Sequence, residues 1–219
     1  MQAESQQLQL HPEPDWRELH GYWFGSIEDS QAYMDGRLPI WFFADAQADA
    51  TIRARFLPWL EAAASAGELD TLEALLPSWF EGPRALLSLV LLFDQVPRNA
   101  FRGQAQAFAY DGLGLQIAER LFAEGHADAL APIERFFAEL PFQHREELGH
   151  QRRQRAAIEA LAARAPAGHQ RFFGVAVDMA QRHEQAIERF GRFPHRNVIL
   201  GRTSAAAELR FLEDPRNHF

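Results

Sequence analysis

One stretch of the sequence decides the fold: residues 168–190 read GHQRFFGVAVDMAQRHEQAIERF. Its apolar side chains recur at steps of three and four residues, which is the spacing of one face of an α-helix. Gly191 follows the stretch and Pro194 comes three residues later, an order that is typical of the end of a helix. The pattern predicts a long amphipathic helix whose apolar face includes His183.

Helical spacing also occurs along most of the chain before and after this stretch. It predicts helices that begin at Asp15 and Ser204 and helices at residues 45–66, 83–96, 104–124, 132–140 and 142–163. Pro58 should kink or divide the helix at 45–66, and Pro141 should end the helix at 132–140. No segment alternates with the period of a β-strand. We therefore predict an all-α fold of roughly eight helices, with a flexible tail at residues 1–14 and a single domain at residues 15–219.

The composition limits the chemistry that the side chains can perform. The 219 residues carry a net charge of −8, all 22 basic residues are Arg, and the sequence contains neither Lys nor Cys. Disulfides, thiolate metal sites, Cys nucleophiles and Lys Schiff bases are therefore excluded. The acidic balance disfavours nucleic-acid binding, which normally uses a basic surface.

The sequence gives no sign of a membrane segment or a secretory signal. Residues 1–14 lack the basic and apolar regions of a signal peptide. The most apolar run, Leu86 to Phe93, is far shorter than the ~20 residues that span a bilayer. We expect a cytoplasmic protein that does not enter a membrane.

Asp94 is a charged residue on a face that is otherwise apolar. It lies in the segment LLFDQVPRNAFRG, residues 91–103, in the last turn predicted for the helix at 83–96. A buried carboxylate is costly unless it is paired, and Arg98 or Arg102 is near enough in sequence to pair with it. Asp94 is therefore either part of a structural ion pair or a functional carboxylate.

Two histidines are also predicted to face inward. The segment LPFQHREELGHQ, residues 140–151, has the helical spacing that places His144 on one stripe with Leu148, Gln151, Arg155 and Ile158. His183 lies on the apolar face of the helix at 168–190. A buried histidine is most often only hydrogen-bonded, whereas convergence with Asp94 would favour a functional site.

We predict no metal site and no other cofactor. Glu147-x-x-His150 matches half of the di-iron signature, which requires a second Glu-x-x-His unit. The expected second unit would end at His183, but position 180 is Ala.

The segment RFGRFPHRNVILGR, residues 189–202, contains four Arg and one His but no acidic residue. Such a segment can bind a phosphate or carboxylate through guanidinium groups and backbone amides. The same Arg residues could instead pair with inward-facing acids such as Asp94, Glu146 or Glu147. RNA binding through Arg and Phe is disfavoured by the overall charge.

These segments resemble the bacterial family catalogued as domain of unknown function 924. The similarity covers residues 16–219, and its central parts are the segments around Asp94, His144 and Arg196. It also includes these further residues: Tyr22, Trp23, Phe24, Gly25, Trp41, Phe42, Asp111, Glu208, Phe211, Leu212 and Phe219. The resemblance implies an all-α fold related to tetratricopeptide-like proteins and implies no reaction. Members commonly have Ser where this chain has Arg145, so we assign no role to position 145.

Our leading hypothesis is a polar pocket that binds a small anionic ligand or an acidic peptide. The ligand-binding candidates are Arg98, Asn99, Arg102, Gln151, Arg192, His195, Arg196, Asn197 and Arg202, of which Arg192, Arg196 and Arg202 would hold the anion. One alternative is a hydrolase with a general base, for which the candidate catalytic residues are Asp94, His144, Glu146 and His183. A second alternative is a structural network whose surface binds a partner helix.

Overall fold

The long helix predicted at 168–190 is confirmed in the computed structural model, which describes residues 14–219. It runs Gln170–Phe190, and Phe173, Ala176, Ala180 and His183 are among its buried residues. Gly191 ends it with a φ of 68°, in the left-handed region that glycine adopts without strain, and donates its N–H to the carbonyl of Ile187.

Residues 14–219 form α-helices and short 3₁₀ turns, with no β-strand. The helices are α1 (Trp16–Phe24), α2 (Gln31–Trp41), α3 (Ala46–Arg55), α4 (Leu57–Ala64), α5 (Leu69–Leu75), α6 (Pro83–Val90), α7 (Val96–Ala100), α8 (Asp111–Ala123), α9 (Pro132–Gln143), α10 (Leu148–Ala162), α11 (Gln170–Phe190) and α12 (Ala206–Phe211). A π-helical turn, Leu91–Gln95, joins α6 to α7 without a break. This part of the chain therefore contains eleven separate helices rather than roughly eight.

The ends of the first helices agree with their sequence signals. Asp15 caps α1, and its carboxylate accepts the N–H of Arg17. The chain divides next to Pro58, because α3 ends at Arg55 and α4 begins at Leu57. The predicted tail at residues 1–14 lies outside the described residues except for Pro14, whose carbonyl accepts a hydrogen bond of 2.9 Å from the indole of Trp79.

Pro141 does not end its helix, because α9 continues to Gln143. The last turn of α9 is buried, and the carbonyls at its end and just beyond it have a partner outside the helix. The side-chain amide of Gln151 donates to the carbonyls of Gln143 (2.7 Å) and Arg145 (2.6 Å). Packing and this cap therefore outweigh the backbone hydrogen bond that the proline removes.

Three other predicted helix boundaries are wrong. The helix predicted at 142–163 begins only at Leu148, so His144 is the C-cap of α9 and does not share a stripe with Ile158. The helix predicted at 83–96 continues to Ala100, so Asp94 lies within the π-helical turn and not in a last turn. The range 104–124 is divided into a 3₁₀ turn, Ala105–Phe108, and α8.

The core is rich in aromatic rings that meet edge to face. Phe137 of α9 contacts Trp23 and Phe24 of α1, with ring centroids 5.7 and 5.5 Å apart, and Trp41 of α2 at 5.1 Å. Such pairs add to the free energy gained from burial. A smaller apolar cluster around Phe193 packs residues 191–219, which we call the C-terminal segment, against α11.

Among residues 14–219, no helix combines the length and the apolar composition that a membrane-crossing segment requires.

Candidate functional site

A cavity of about 700 Å³ lies between α2, α9, α11 and the C-terminal segment. Most of its wall is apolar and is formed by Met34, Leu38, Trp41, Phe42, Phe136, Leu140, Phe172, Val175, Ala176, Met179 and Phe219. One end is polar and is formed by Gln95, Arg98, Gln143, His144, His183, His195 and Arg196. We call these seven residues the polar end of the cavity. A concave apolar pocket with a few convergent polar groups is the usual form of a small-molecule site.

An Asp–His pair is the first feature of the polar end. Asp94 is fully buried behind His144, and its carboxylate lies 2.7 Å from His144 Nδ1. Gln95 donates to the other carboxylate oxygen at 2.6 Å, and Arg98 lies 3.3 Å from the first. Burial alone would raise the pKa of the Asp94 carboxyl, but the charge of Arg98 and the hydrogen bonds from His144 and Gln95 hold it below its ordinary value.

An ionised Asp94 determines the tautomer of His144. A carboxylate can only accept hydrogen bonds, so Nδ1 carries the proton that it donates. Burial, followed by the positive charge of Arg98, lowers the pKa of the imidazole, so the ring is neutral at pH 7 and Nε2 carries a lone pair. Nε2 bonds to no residue of 14–219 and is not sealed from solvent.

Asp111 links two guanidinium groups. Its carboxylate accepts a hydrogen bond of 2.9 Å from Arg98 and lies 3.7 Å from Arg196. Arg98 thus has two acidic partners, Asp94 and Asp111. Arg196 has no carboxylate within hydrogen-bond distance in the described chain, because Asp111 is 3.7 Å away. The guanidinium donates instead to the carbonyl of His144 at 3.1 Å.

Arg196 is a charged residue in apolar surroundings. It is 6% exposed, and its guanidinium carbon lies 4.6 Å from the ring centroid of Phe108 and 4.7 Å from that of Phe193. Burial, followed by the like charge of Arg98, lowers its pKa to about 10, so the group remains charged at pH 7. Its Nε is sealed without a partner. Its Nη2 bonds to no residue of 14–219 and is not sealed from solvent.

The other two histidines of the polar end are neutral. His183 Nδ1 donates to the carbonyl of Met179 at 2.8 Å, and the amide of Gln143 lies 3.3 Å from Nε2. Gln154 in turn donates to the Gln143 oxygen at 2.7 Å. Burial lowers the pKa of His183 well below its ordinary value, and burial with the charge of Arg196 lowers that of His195 to about 3.

A second cavity of about 380 Å³ adjoins the larger one at His144 and Arg196. Its lining is more polar and includes Asp111, Arg145, Glu146 and Glu147. The two cavities share Phe108, His144 and Arg196. These side chains therefore form a boundary with an apolar chamber on one side and a charged one on the other.

Several predicted ligand-binding residues of the C-terminal segment instead pair with acids. Arg202 donates to both oxygens of Glu146 (2.7 and 2.9 Å), and Glu146 also accepts the N–H of Phe193. Arg192 donates to both oxygens of Glu208 (2.7 and 2.8 Å), and Asn197 donates to the same carboxylate at 3.3 Å. Of the three Arg residues proposed from sequence to hold an anion, only Arg196 lines the cavities.

The remaining candidates have structural hydrogen bonds. Asn99 and Arg102 line the larger cavity, but Asn99 donates to the carbonyl of Ile40, and Arg102 donates to both oxygens of Asp49 at 2.9 Å. Gln151 caps α9 and does not line either cavity. Within residues 14–219, no group of three or more His, Asp or Glu is arranged to hold a metal ion.

Sequence reasoning did not select three polar residues that matter here. Asp111 begins α8 and links Arg98 with Arg196, but the sequence places it inside a longer predicted helix. Gln95 and Gln143 orient Asp94 and His183. A signal for Asp111 was available in its inclusion among the residues that carry the family resemblance.

Comparison with known proteins gives a family but no reaction. The family model described as bacterial protein of unknown function (DUF924) matches residues 19–216. A solved structure of a protein of unknown function from Agrobacterium tumefaciens is 33% identical, with a TM-score of 0.70, and the match covers 91% of this chain and 97% of that one. A search of the curated proteins found no match.

Proposed function

The chain belongs to the bacterial family of unknown function DUF924, and we propose that its larger cavity binds a small organic molecule with an apolar body and a carboxylate head. The carboxylate would accept hydrogen bonds from Arg196 at the polar end. The apolar body would lie against the aromatic rings of the wall.

The observation that carries this proposal is the incomplete pairing of Arg196. A buried guanidinium without a hydrogen-bonded carboxylate is costly, and Arg196 has Asp111 only at 3.7 Å. Its Nη2 has no partner among residues 14–219 and is not sealed from solvent. A ligand carboxylate at this position would provide the acceptor that the chain itself does not provide.

The charges of the polar end favour a monoanion over a phosphate. Asp94 and Asp111 balance Arg98 and Arg196, and His144, His183 and His195 are neutral. One added negative charge would be compensated by Arg196, which is only weakly paired. A dianion would bring a second charge close to both carboxylates, which is unfavourable at short distance.

The apolar wall supports an aliphatic or aromatic body rather than an acidic peptide. Three apolar residues are exposed beside the cavity: Phe42 (41%), Phe43 (56%) and Val175 (59%). Exposed apolar residues that adjoin an apolar pocket are typical of a binding site. A purely structural network would not require either the open volume or the accessible Nη2 of Arg196.

Binding can be tested by calorimetry and thermal unfolding with octanoate as the probe. Acetate supplies the head without the tail, and octan-1-ol supplies the tail without the carboxylate. We expect octanoate to bind more tightly than either. At ten times its Kd, octanoate should stabilise the protein by about 1.4 kcal/mol, which raises Tm by roughly 3–6 °C for a chain of this size.

Arg196→Gln is the matched test of the head-group contact. We expect at least tenfold weaker binding of octanoate, because a charge-assisted hydrogen bond contributes about 1.5–3 kcal/mol. Arg171→Gln is the control, since Arg171 lines the same cavity but is exposed, and its effect should be less than threefold. Equal binding of octanol and octanoate, or equal effects of the two variants, would contradict the proposal.

A tetratricopeptide-like arrangement of the helices and a cytoplasmic location are further proposals that rest on the sequence.

A further inference from the structure

The boundary between the two cavities holds the groups that a hydrolytic reaction needs. We propose that the protein hydrolyses a carboxylic ester there, with His144 as the general base, an apolar acyl group in the larger cavity and a polar alcohol in the smaller one. This inference rests on the proposed function, because the bound carboxylate would be the product of the reaction.

His144 has the orientation of a general base. Asp94 accepts the Nδ1 proton at 2.7 Å and is itself positioned by Gln95 and Arg98. Nε2 is therefore unprotonated and bonds to no other residue of the described chain. An acidic residue that fixes the tautomer and orientation of a histidine is the arrangement by which many hydrolases prepare a general base. Asp94 acts here as a positioning residue.

The nucleophile in this arrangement is water. The residues that line the two cavities include no Ser, Thr or Tyr, and the chain contains no Cys. The residue after His144 is Arg145, whose side chain has no hydroxyl group. A covalent acyl intermediate therefore has no hydroxyl or thiol side chain at the boundary to form on.

The reaction balances with water as the only co-reactant. Nε2 of His144 takes a proton from water while the water oxygen bonds to the ester carbonyl carbon. The carbonyl oxygen becomes an oxyanion, which accepts a hydrogen bond from Nη2 of Arg196. When the bond from carbon to the alcohol oxygen breaks, the imidazolium returns its proton to that oxygen. The products are a carboxylic acid, ionised at neutral pH, and a free alcohol.

The two cavities differ in polarity, as do the acyl group and the alcohol of the proposed ester. The larger cavity offers aromatic and aliphatic side chains to an acyl chain. The smaller one offers Asp111, Arg145, Glu146 and Glu147, which can bond to the hydroxyl groups of an alcohol. Since His144 and Arg196 line both cavities, the scissile bond would lie at the boundary.

The test uses glycerol monooctanoate as substrate and measures release of octanoate, beside the calorimetric binding of octanoate itself. We expect turnover by the wild-type protein. His144→Gln should lower kcat/KM by 10²–10⁴-fold, the usual contribution of a general base, while octanoate binding changes less than threefold. His126→Gln is the control, because His126 lies outside both cavities and should leave both quantities unchanged.

The outcomes separate this inference from the proposed function. Octanoate binding without ester hydrolysis would overturn the inference and leave the binding function in place. If the wild-type protein neither binds octanoate nor hydrolyses the ester, the proposed binding function is contradicted as well. Turnover by His144→Gln at the wild-type rate would overturn the assignment of the base, and retained octanoate binding would show that the variant is folded.

Asp94→Asn provides an independent readout through the pH dependence of kcat/KM. The charged and titratable groups around His144 are Asp94, Arg98, Asp111, His183, His195 and Arg196, together with Arg145, Glu146 and Glu147, which line the smaller cavity with it. The negative charge of Asp94 raises the pKa of His144, so its removal should move the ascending limb of the profile to lower pH as well as reduce the rate. A uniform reduction with an unmoved limb would overturn the positioning role.

Discussion

Glu146 and Glu147 are neighbours in the turn between α9 and α10, yet their replacement by Gln should have very different effects. Glu146 accepts two hydrogen bonds from Arg202 and one from the backbone N–H of Phe193. It therefore connects this turn to the C-terminal segment that carries Arg196. Glu147 is 55% exposed and pairs with Arg145 on the surface.

The size of the effect follows from this geometry. The side chains of Glu146 and Arg202 are 26% and 24% exposed, so their pairing is partly screened by solvent. Two charge-assisted hydrogen bonds in a fully buried site would contribute about 3–6 kcal/mol. Allowing for the partial exposure, we expect Glu146→Gln to lower the free energy of unfolding by about 2 kcal/mol and Tm by roughly 4–8 °C. Glu147→Gln should cost less than about 1 kcal/mol.

Urea unfolding followed by circular dichroism measures both variants under the same conditions. Glu146→Gln should also weaken octanoate binding, because the segment that holds Arg196 is less firmly attached. Equal free energies of unfolding for the two variants would refute the reasoning, as would a loss in Glu146→Gln without any change in binding.

Two further predictions concern pH and packing. Burial lowers the pKa of three cavity histidines, His144, His183 and His195. The unfolded chain binds more protons than the native one below about pH 6.5, so the free energy of unfolding should fall as the pH decreases from 7.5 to 5, by up to about 1.4 kcal/mol per pH unit for each histidine. His195→Gln should reduce this slope in urea titrations, and an unchanged slope would contradict the prediction. A Cβ at Gly168 would lie 2.5 Å from the backbone of Ser30, so Gly168→Ala should cost about 1–3 kcal/mol, whereas Gly174→Ala, which meets nothing within 4 Å, should not destabilise the protein.

The helical class was predictable because it depends on local and periodic signals. The apolar face of α11, its end at Gly191 and the cap of α1 by Asp15 each follow from a few neighbouring residues. The inward direction of His183 also follows from helical spacing alone. The structure places all of these as the sequence predicts.

The detailed arrangement of the site was less predictable from the sequence, because it depends on contacts between distant segments. The π-helical turn at Asp94 has no simple sequence signal, and such turns often occur at functional sites. His144 reaches Asp94 only because α9 continues through Pro141 before the chain turns. Composition likewise could not separate Arg196, which lines the cavities, from Arg192 and Arg202, which pair with acids.

The most direct test of the central claim is a crystal structure of the protein with octanoate. We predict that the carboxylate lies within hydrogen-bond distance of Nη2 of Arg196 and that the alkyl chain contacts Trp41 and Phe172. Octanoate bound elsewhere, or an empty cavity at a saturating concentration, would contradict the account.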